Sequence, residues 1–248
     1  MGEKRARRET IPLIRLHIVV EGQTEEGFVN EVLAPELGQF GIFADAHSIT
    51  TRRDRLRVFR GGWDSYGKLA NDVIFWMKQD QNTDAWFTTM VDLYGLPTDF
   101  PGHGECQKIS EPRRKVECLQ AHFARDIKNR MENDTVSQRF LPYIQLHEFE
   151  ALLFADPSKF GSEFPDQDAA VADLTAIRRQ YPNPEDIDEG QTTAPSKRIL
   201  KSLPDYSKRV AGILVAKHIG LPTLRRECPH FGNWIDAIVK LASPAGMN

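Results

Sequence analysis

The chain has 248 residues, 40% of them hydrophobic, enough for one large domain or a core domain with an appendage. A formal net charge of −3 argues against a general nucleic-acid coat, and no apolar run approaches the ~20 residues that a membrane span needs. The N-terminus lacks the apolar segment of a secretory signal, and Cys106, Cys118 and Cys228 form no Cys-x-x-Cys pair and cannot all pair with one another, so a soluble protein in a reducing, cytoplasmic setting is expected.

Residues 1–11 read as a disordered basic tail carrying Lys4, Arg5, Arg7 and Arg8. The β-branched run at 16–20 then stops at Glu21-Gly22, and a helical pattern begins at once, with Phe28, Val29, Val32 and Leu33 at core spacing. This predicts strand, tight turn, helix, with Gly22 supplying the turn and Glu21 at the carboxyl end of the strand, where open α/β sheets bind ligands. Glu25 and Glu26 fall in the first helical turn, where the dipole favours acids, so Glu25 reads equally as a surface residue. Pro35 and Gly38 end this helix. A second strand is expected within 41–50. Arg52, Arg53, Arg55, Arg57 and Arg60 follow, crowded around Asp54, as a loop suited to phosphate oxygens or as a solvated hairpin.

Leu69, Val73, Trp76 and Met77 predict a helix at 66–78, with Trp76 in the core, and 86–91 reads as a buried strand ending at Asp92. Residues 93–110 are rich in Gly and Pro and read as a loop near the crevice. His103, Cys106, Cys118 and His122 could bind zinc if they converged, although their spacing matches no common zinc module. A strand at 140–146, carrying Pro142, runs into His147-Glu148-Phe149-Glu150. The two acids share a direction if this segment is extended but lie about 200° apart on a helix. Residues 157–190 are acidic and Pro-rich, with one short helix at 171–181. Helices are expected from Pro195, at 206–219 with Val210, Ile213, Leu214 and Ala216 in the core, and after Pro229. Lys197, Arg198, Lys201, Lys208 and Arg209 make this region basic, able to face the acids or to form a solvated surface.

Val20-Glu21-Gly22-Gln23-Thr24-Glu25 resembles the first motif of Toprim domains, in the form used by overcoming-lysogenization-defect (OLD) nucleases. With Asp92-Leu93-Tyr94-Gly95-Leu96-Pro97, the segment from His147 to Phe154, and Pro195-Ser196-Lys197-Arg198, it is similar to a bacterial Toprim-like family of unknown function. The resemblance implies an α/β fold: a Toprim-like Rossmannoid core with a central, mostly parallel sheet at 12–156, and an acidic appendage and helical C-terminal region packed on it at 157–248. It also implies metal held by the strand-one glutamate and a later Asp-x-Asp, with the second glutamate of the first motif contributing. Carried over, these are Glu21, Glu25 and Asp92; Tyr94 stands where the second aspartate belongs.

Carboxylates gathered in one crevice need protons or a cation, and hard oxygen donors favour Mg²⁺ or Mn²⁺. The expected ligands are Glu21, Asp92, and Glu148 or Glu150 in place of the missing aspartate, with Lys197 stabilising charge on the phosphate. The resulting expectation is a Toprim-class nuclease acting on DNA in bacterial defence or DNA processing, with a separate ABC-type ATPase as the resemblance implies. A non-catalytic subunit binding nucleic acid or a partner is the alternative. A Toprim-type nucleotidyl transferase would need a nucleotide-binding domain that the sequence does not display.

Overall fold

The structure, a computed structural model, describes residues 13–49, 63–131, 134–187 and 193–243. Among these, β1 (Ile14–Val20), β2 (Ile42–Ser48), β3 (Ala85–Asp92), β4 (Phe140–Leu141) and β5 (Ile144–Gln145) form one parallel sheet. The order is β2-β1-β3-β4, with β5 also on β3. The helices are α1 (Gln23–Phe28), α2 (Ala34–Gly38), α3 (Tyr66–Gln79), α4 (His103–Cys106), α5 (Pro112–Arg130), α6 (Asp134–Ser137) and α7 (Glu150–Leu153). They continue as α8 (Phe160–Glu163), α9 (Asp168–Arg178), α10 (Pro195–Ser202), α11 (Ile213–Ile219), α12 (Leu221–Glu227) and α13 (Pro229–Leu241). This is the α/β architecture with a central parallel sheet that the sequence predicts.

The sheet is covered on both faces, which is why its central strands read as continuous apolar runs. One core joins Leu16, Ile18, Val20 and Met90 to Phe28, Leu33 and the C-terminal helices; the other joins Val19, Phe87 and Val91 to α3 and α5. From β1 the chain first adds β2 on one side, then β3 on the other. The reversal leaves a crevice beyond the carboxyl ends of β1 and β3.

Local chemistry shifts several expected boundaries. The first helix runs past Pro35 and ends at Gly38: a π turn (Val29–Leu33) joins α1 to α2 without a break, with Pro35 as the second residue of α2. Gly22 is extended, with φ −167°, a conformation open to any residue, so its turn does not depend on glycine. The expected strand at 140–146 is interrupted at Pro142, which has no ladder donor. Thr89 Oγ1 spans the gap, donating to Tyr143 O (2.8 Å) and accepting from Tyr143 N (3.0 Å).

A second π turn (Lys208–Gly212) precedes α11, and Gly212 N donates five residues back to Ser207 O. It offsets the register that apolar spacing assumes. Val210, expected in the core, is therefore 62% exposed, while Ala211 and Gly212 are buried. The acidic segment folds onto the main body, burying Phe160, Leu174 and Ile187.

Cys106 and Cys118 form a disulfide with Cα atoms 5.8 Å apart, and Cys228 is free and buried. Cys106, Cys118 and His122 do come together, within 4.8 Å, but His103 is not among them and bridged sulfurs are not thiolate ligands, so the four expected ligands do not assemble. His103 instead meets Gln107 (3.4 Å), and His122 meets Glu105 (3.3 Å). Among the described residues no helix is long and apolar enough to cross a membrane. The basic tail at 1–11 and Arg52, Arg53, Arg55, Arg57 and Arg60 lie outside the described residues.

Candidate metal centre

β1 and β3 deliver the first two acids. Val20 is paired with Met90, so Glu21 leaves one strand as Asp92 closes the other, and Asp92 N donates to Glu21 Oε2 at 3.2 Å. Glu25, one turn into α1, points inward and is 4% exposed, which rules out its reading as a surface residue. The fourth acid arrives from the turn after β5. His147 there has φ +62°, uncommon for a side chain other than glycine. It is pinned by Tyr94 N, which donates to its carbonyl (3.1 Å), and by its own Nε2 against Glu185 O (3.0 Å). The chain turns from it into α7, and Glu150 enters the crevice, 2% exposed.

Glu148 and Glu150 diverge. Glu148 accepts from Ser196 N (2.5 Å) and Ser196 Oγ (3.0 Å), satisfying the N-terminus of α10. Only Glu150 has a direct contact within the acid cluster, the outcome foreseen for a helical rather than extended segment. Lys197 is exposed on α10 and makes none of the contacts that define the cluster. Tyr94 is 49% exposed, its ring tilted against His147 at 5.4 Å.

The basic group that does enter is Lys208. Its Nζ lies 3.4 Å from Glu25 Oε1, 3.3 Å from Asp92 Oδ2 and 3.3 Å from Glu150 Oε2, a position typical of a bound cation. Two features put it there. The π turn begins at Lys208, and Gly27 on α1 makes room for Ile213, which opens α11 directly after that turn: a side chain on Gly27 would begin 2.4 Å from Ile213 Cδ1. The sequence names Lys208 only within a basic region; the interrupted apolar spacing at 206–213 was the available signal.

Four carboxylates around one ammonium would leave three negative charges uncompensated. Burial, and then the charge of Asp92, push Glu21 up to about 7. The same two causes raise Glu25. Burial dominates at Glu150, also raised to about 7. Burial would lower the Lys208 ammonium, but Asp92, Glu150 and Glu25 outweigh it and hold the charge in place. Asp92 Oδ1 is buried with no hydrogen-bond partner among the described residues. Hard oxygen donors, a spare buried carboxylate oxygen and acids short of countercharge all fit a divalent cation of the Mg²⁺ or Mn²⁺ kind.

The model of a domain of unknown function, DUF4276, matches residues 20–239. Among curated proteins, none matches the sequence significantly. A solved structure of the C-terminal region of the Burkholderia pseudomallei OLD protein is similar at a TM-score of 0.44 and 13% identity, covering 92% of this chain and 98% of that one.

Proposed function

We propose that this chain, which belongs to the DUF4276 family, is a Toprim-class, Mg²⁺- or Mn²⁺-dependent phosphodiesterase acting on DNA. The observation that carries the reading is the convergence of Glu25, Asp92 and Glu150, from three separate segments, on the point now held by Lys208 Nζ, with Glu21 joined to them through the Asp92 amide. The resemblance of the first motif to OLD-type nucleases supports the reaction class, and extends the proposal to bacterial defence or DNA processing alongside a separate ATPase.

Glu21, Glu25 and Asp92 would hold the ion, and Glu150 takes the place left by Tyr94. A divalent ion bound there supplies Lewis-acid polarisation of the phosphodiester and a more acidic water. With the acids neutralised, the Lys208 ammonium would be free to bind a phosphate oxygen and offset charge in the transition state. In this reading Lys208 takes the part that sequence reasoning gives to Lys197.

One observation favours a second reading. Lys208 Nζ itself stands as a cation among three of the acids, as would suit a binding subunit that keeps the fold and does not cleave. Incubation with plasmid and single-stranded DNA, with Mn²⁺ or with EDTA, separates the two. The nuclease reading expects metal-dependent cleavage that is lost in Glu21→Gln and Asp92→Asn. Failure of Mg²⁺ and Mn²⁺ to raise thermal stability, together with absent cleavage, would establish the binding reading instead.

A further inference from the structure

A second cluster of metal-ligating side chains lies on the outer part of the sheet, at the β1–β2 edge. His17 is the register partner of Asp45, and His47 follows two residues later on the same face of β2. His17 Nδ1 lies 3.0 Å from Asp45 Oδ1, His47 Nε2 lies 2.8 Å from Asp45 Oδ2, and the two ring nitrogens are 3.3 Å apart. Ligand atoms around a tetrahedral zinc with bonds of about 2.0–2.1 Å are separated by about 3.4 Å, so the three groups are already close to the required spacing.

The surroundings prepare His17 as a ligand. Its Nε2 meets Asp80 Oδ2 at 3.0 Å, and Asp80 is held in turn by Arg15 (3.0 Å) and by Asn82 Nδ2 (2.8 Å). Carboxylate–histidine pairs of this kind fix the ring orientation and leave the other nitrogen as an electron pair. The other nitrogen, Nδ1, is at hydrogen-bond distance from Asp45 Oδ1 and close to the second imidazole, so a proton shared there occupies the place that a divalent cation would take from it. Trp76 stacks on His47 with ring centres 3.5 Å apart and fixes the second imidazole. Asp45 is half exposed, which keeps one side of the cluster open.

We propose that His17, Asp45 and His47 form a transition-metal site of the zinc class, with its fourth position open to water or to a ligand from solvent. Two imidazoles and one carboxylate suit Zn²⁺, Co²⁺ or Ni²⁺, whereas the all-oxygen crevice suits Mg²⁺ or Mn²⁺. The ion would tie edge strand β2 to β1 through side chains as well as through the backbone.

The test uses the full chain, stripped with EDTA and kept oxidised so that Cys106 and Cys118 stay bridged. Co²⁺ is expected to bind with one equivalent giving tetrahedral visible bands without thiolate charge transfer. Binding is lost in His47→Gln and Asp45→Asn, weakened about 10- to 100-fold in Asp80→Asn, and retained in Glu21→Gln, which alters only the crevice. Zn²⁺ should also shift the ring-nitrogen NMR signals of His17 and His47 in the unmodified protein, a readout that needs no variant to fold. Absence of those shifts, or tetrahedral Co²⁺ bands that survive both ligand variants, overturns the assignment.

Discussion

A methyl group on Gly95 would lie 2.7 Å from Glu21 Oε2 and 2.9 Å from Oε1, so the turn after β3 leaves just enough room for the strand-one carboxylate. The glycine therefore acts on where Glu21 can be. Gly95→Ala is expected to displace a flexible carboxylate at little cost to stability while weakening Mn²⁺ binding by about 10-fold or more, the scale of a misplaced supporting group. Calorimetric titration with Mn²⁺ beside a thermal melt checks it; unchanged affinity would detach Glu21 from the ion.

Lys208 is the countercharge for three buried acids when no ion is bound. In EDTA, Lys208→Ala should lower stability by about 2–3 kcal/mol, less than full removal of a buried partner because the lysine is partly exposed. Mg²⁺ at about 100 times its dissociation constant would restore about 2.7 kcal/mol if it occupies the same place. Denaturant unfolding with and without Mg²⁺ measures both, and an unrescued variant would mean that Lys208 fills no cation position.

The acids also fix a pH dependence. A carboxyl whose pKa rises from an ordinary 4.5 to about 7 on folding gains a proton between those values, so its contribution to stability falls as pH rises through that window and stays lost above it. His230, lowered from 6.5 to about 4 by burial, acts in the opposite sense and partly masks the trend. The informative quantity is therefore a difference. Glu21→Gln should lose stability less steeply than the parent between pH 5 and 7. Mg²⁺ should stabilise the parent more at pH 7.5 than at pH 5.5, since protons compete for the same oxygens. Parallel melting curves for the two proteins would contradict the shift.

Glu185 has a structural part in the same protein. Its carboxylate accepts from His230 N (2.7 Å) and Phe231 N (3.0 Å), closing the N-terminus of α13, and burial raises it to about 7. Glu185→Ala should destabilise by about 1–3 kcal/mol, with Glu185→Gln milder because the amide oxygen still accepts. Equal losses in the two variants would show that the backbone donors find another partner.

Much of this arrangement is legible in the sequence because it follows from strand ends. Abrupt stops of apolar runs at Glu21 and Asp92 mark two of the acids, and the first motif marks Glu25. What escapes depends on contacts between distant segments. Glu148 and Glu150 are two residues apart, and only the left-handed turn at His147 and the demand of α10 for an acceptor decide which enters the crevice. The Cys106–Cys118 bridge needs α4 laid against α5, which spacing along the chain does not encode. Lys208 looks like a solvated helix residue because periodicity presumes 3.6 residues per turn throughout, and its turn has more.

That surplus makes the site sensitive to length as well as to residue type. A π turn holds about one residue more than an α turn, and each residue of a helix accounts for about 100° of rotation. Deleting a single position between Val210 and Gly212 would let the segment relax to ordinary helix, wind the ammonium about a quarter-turn around the axis, and leave Glu25, Asp92 and Glu150 facing one another with every one of them intact.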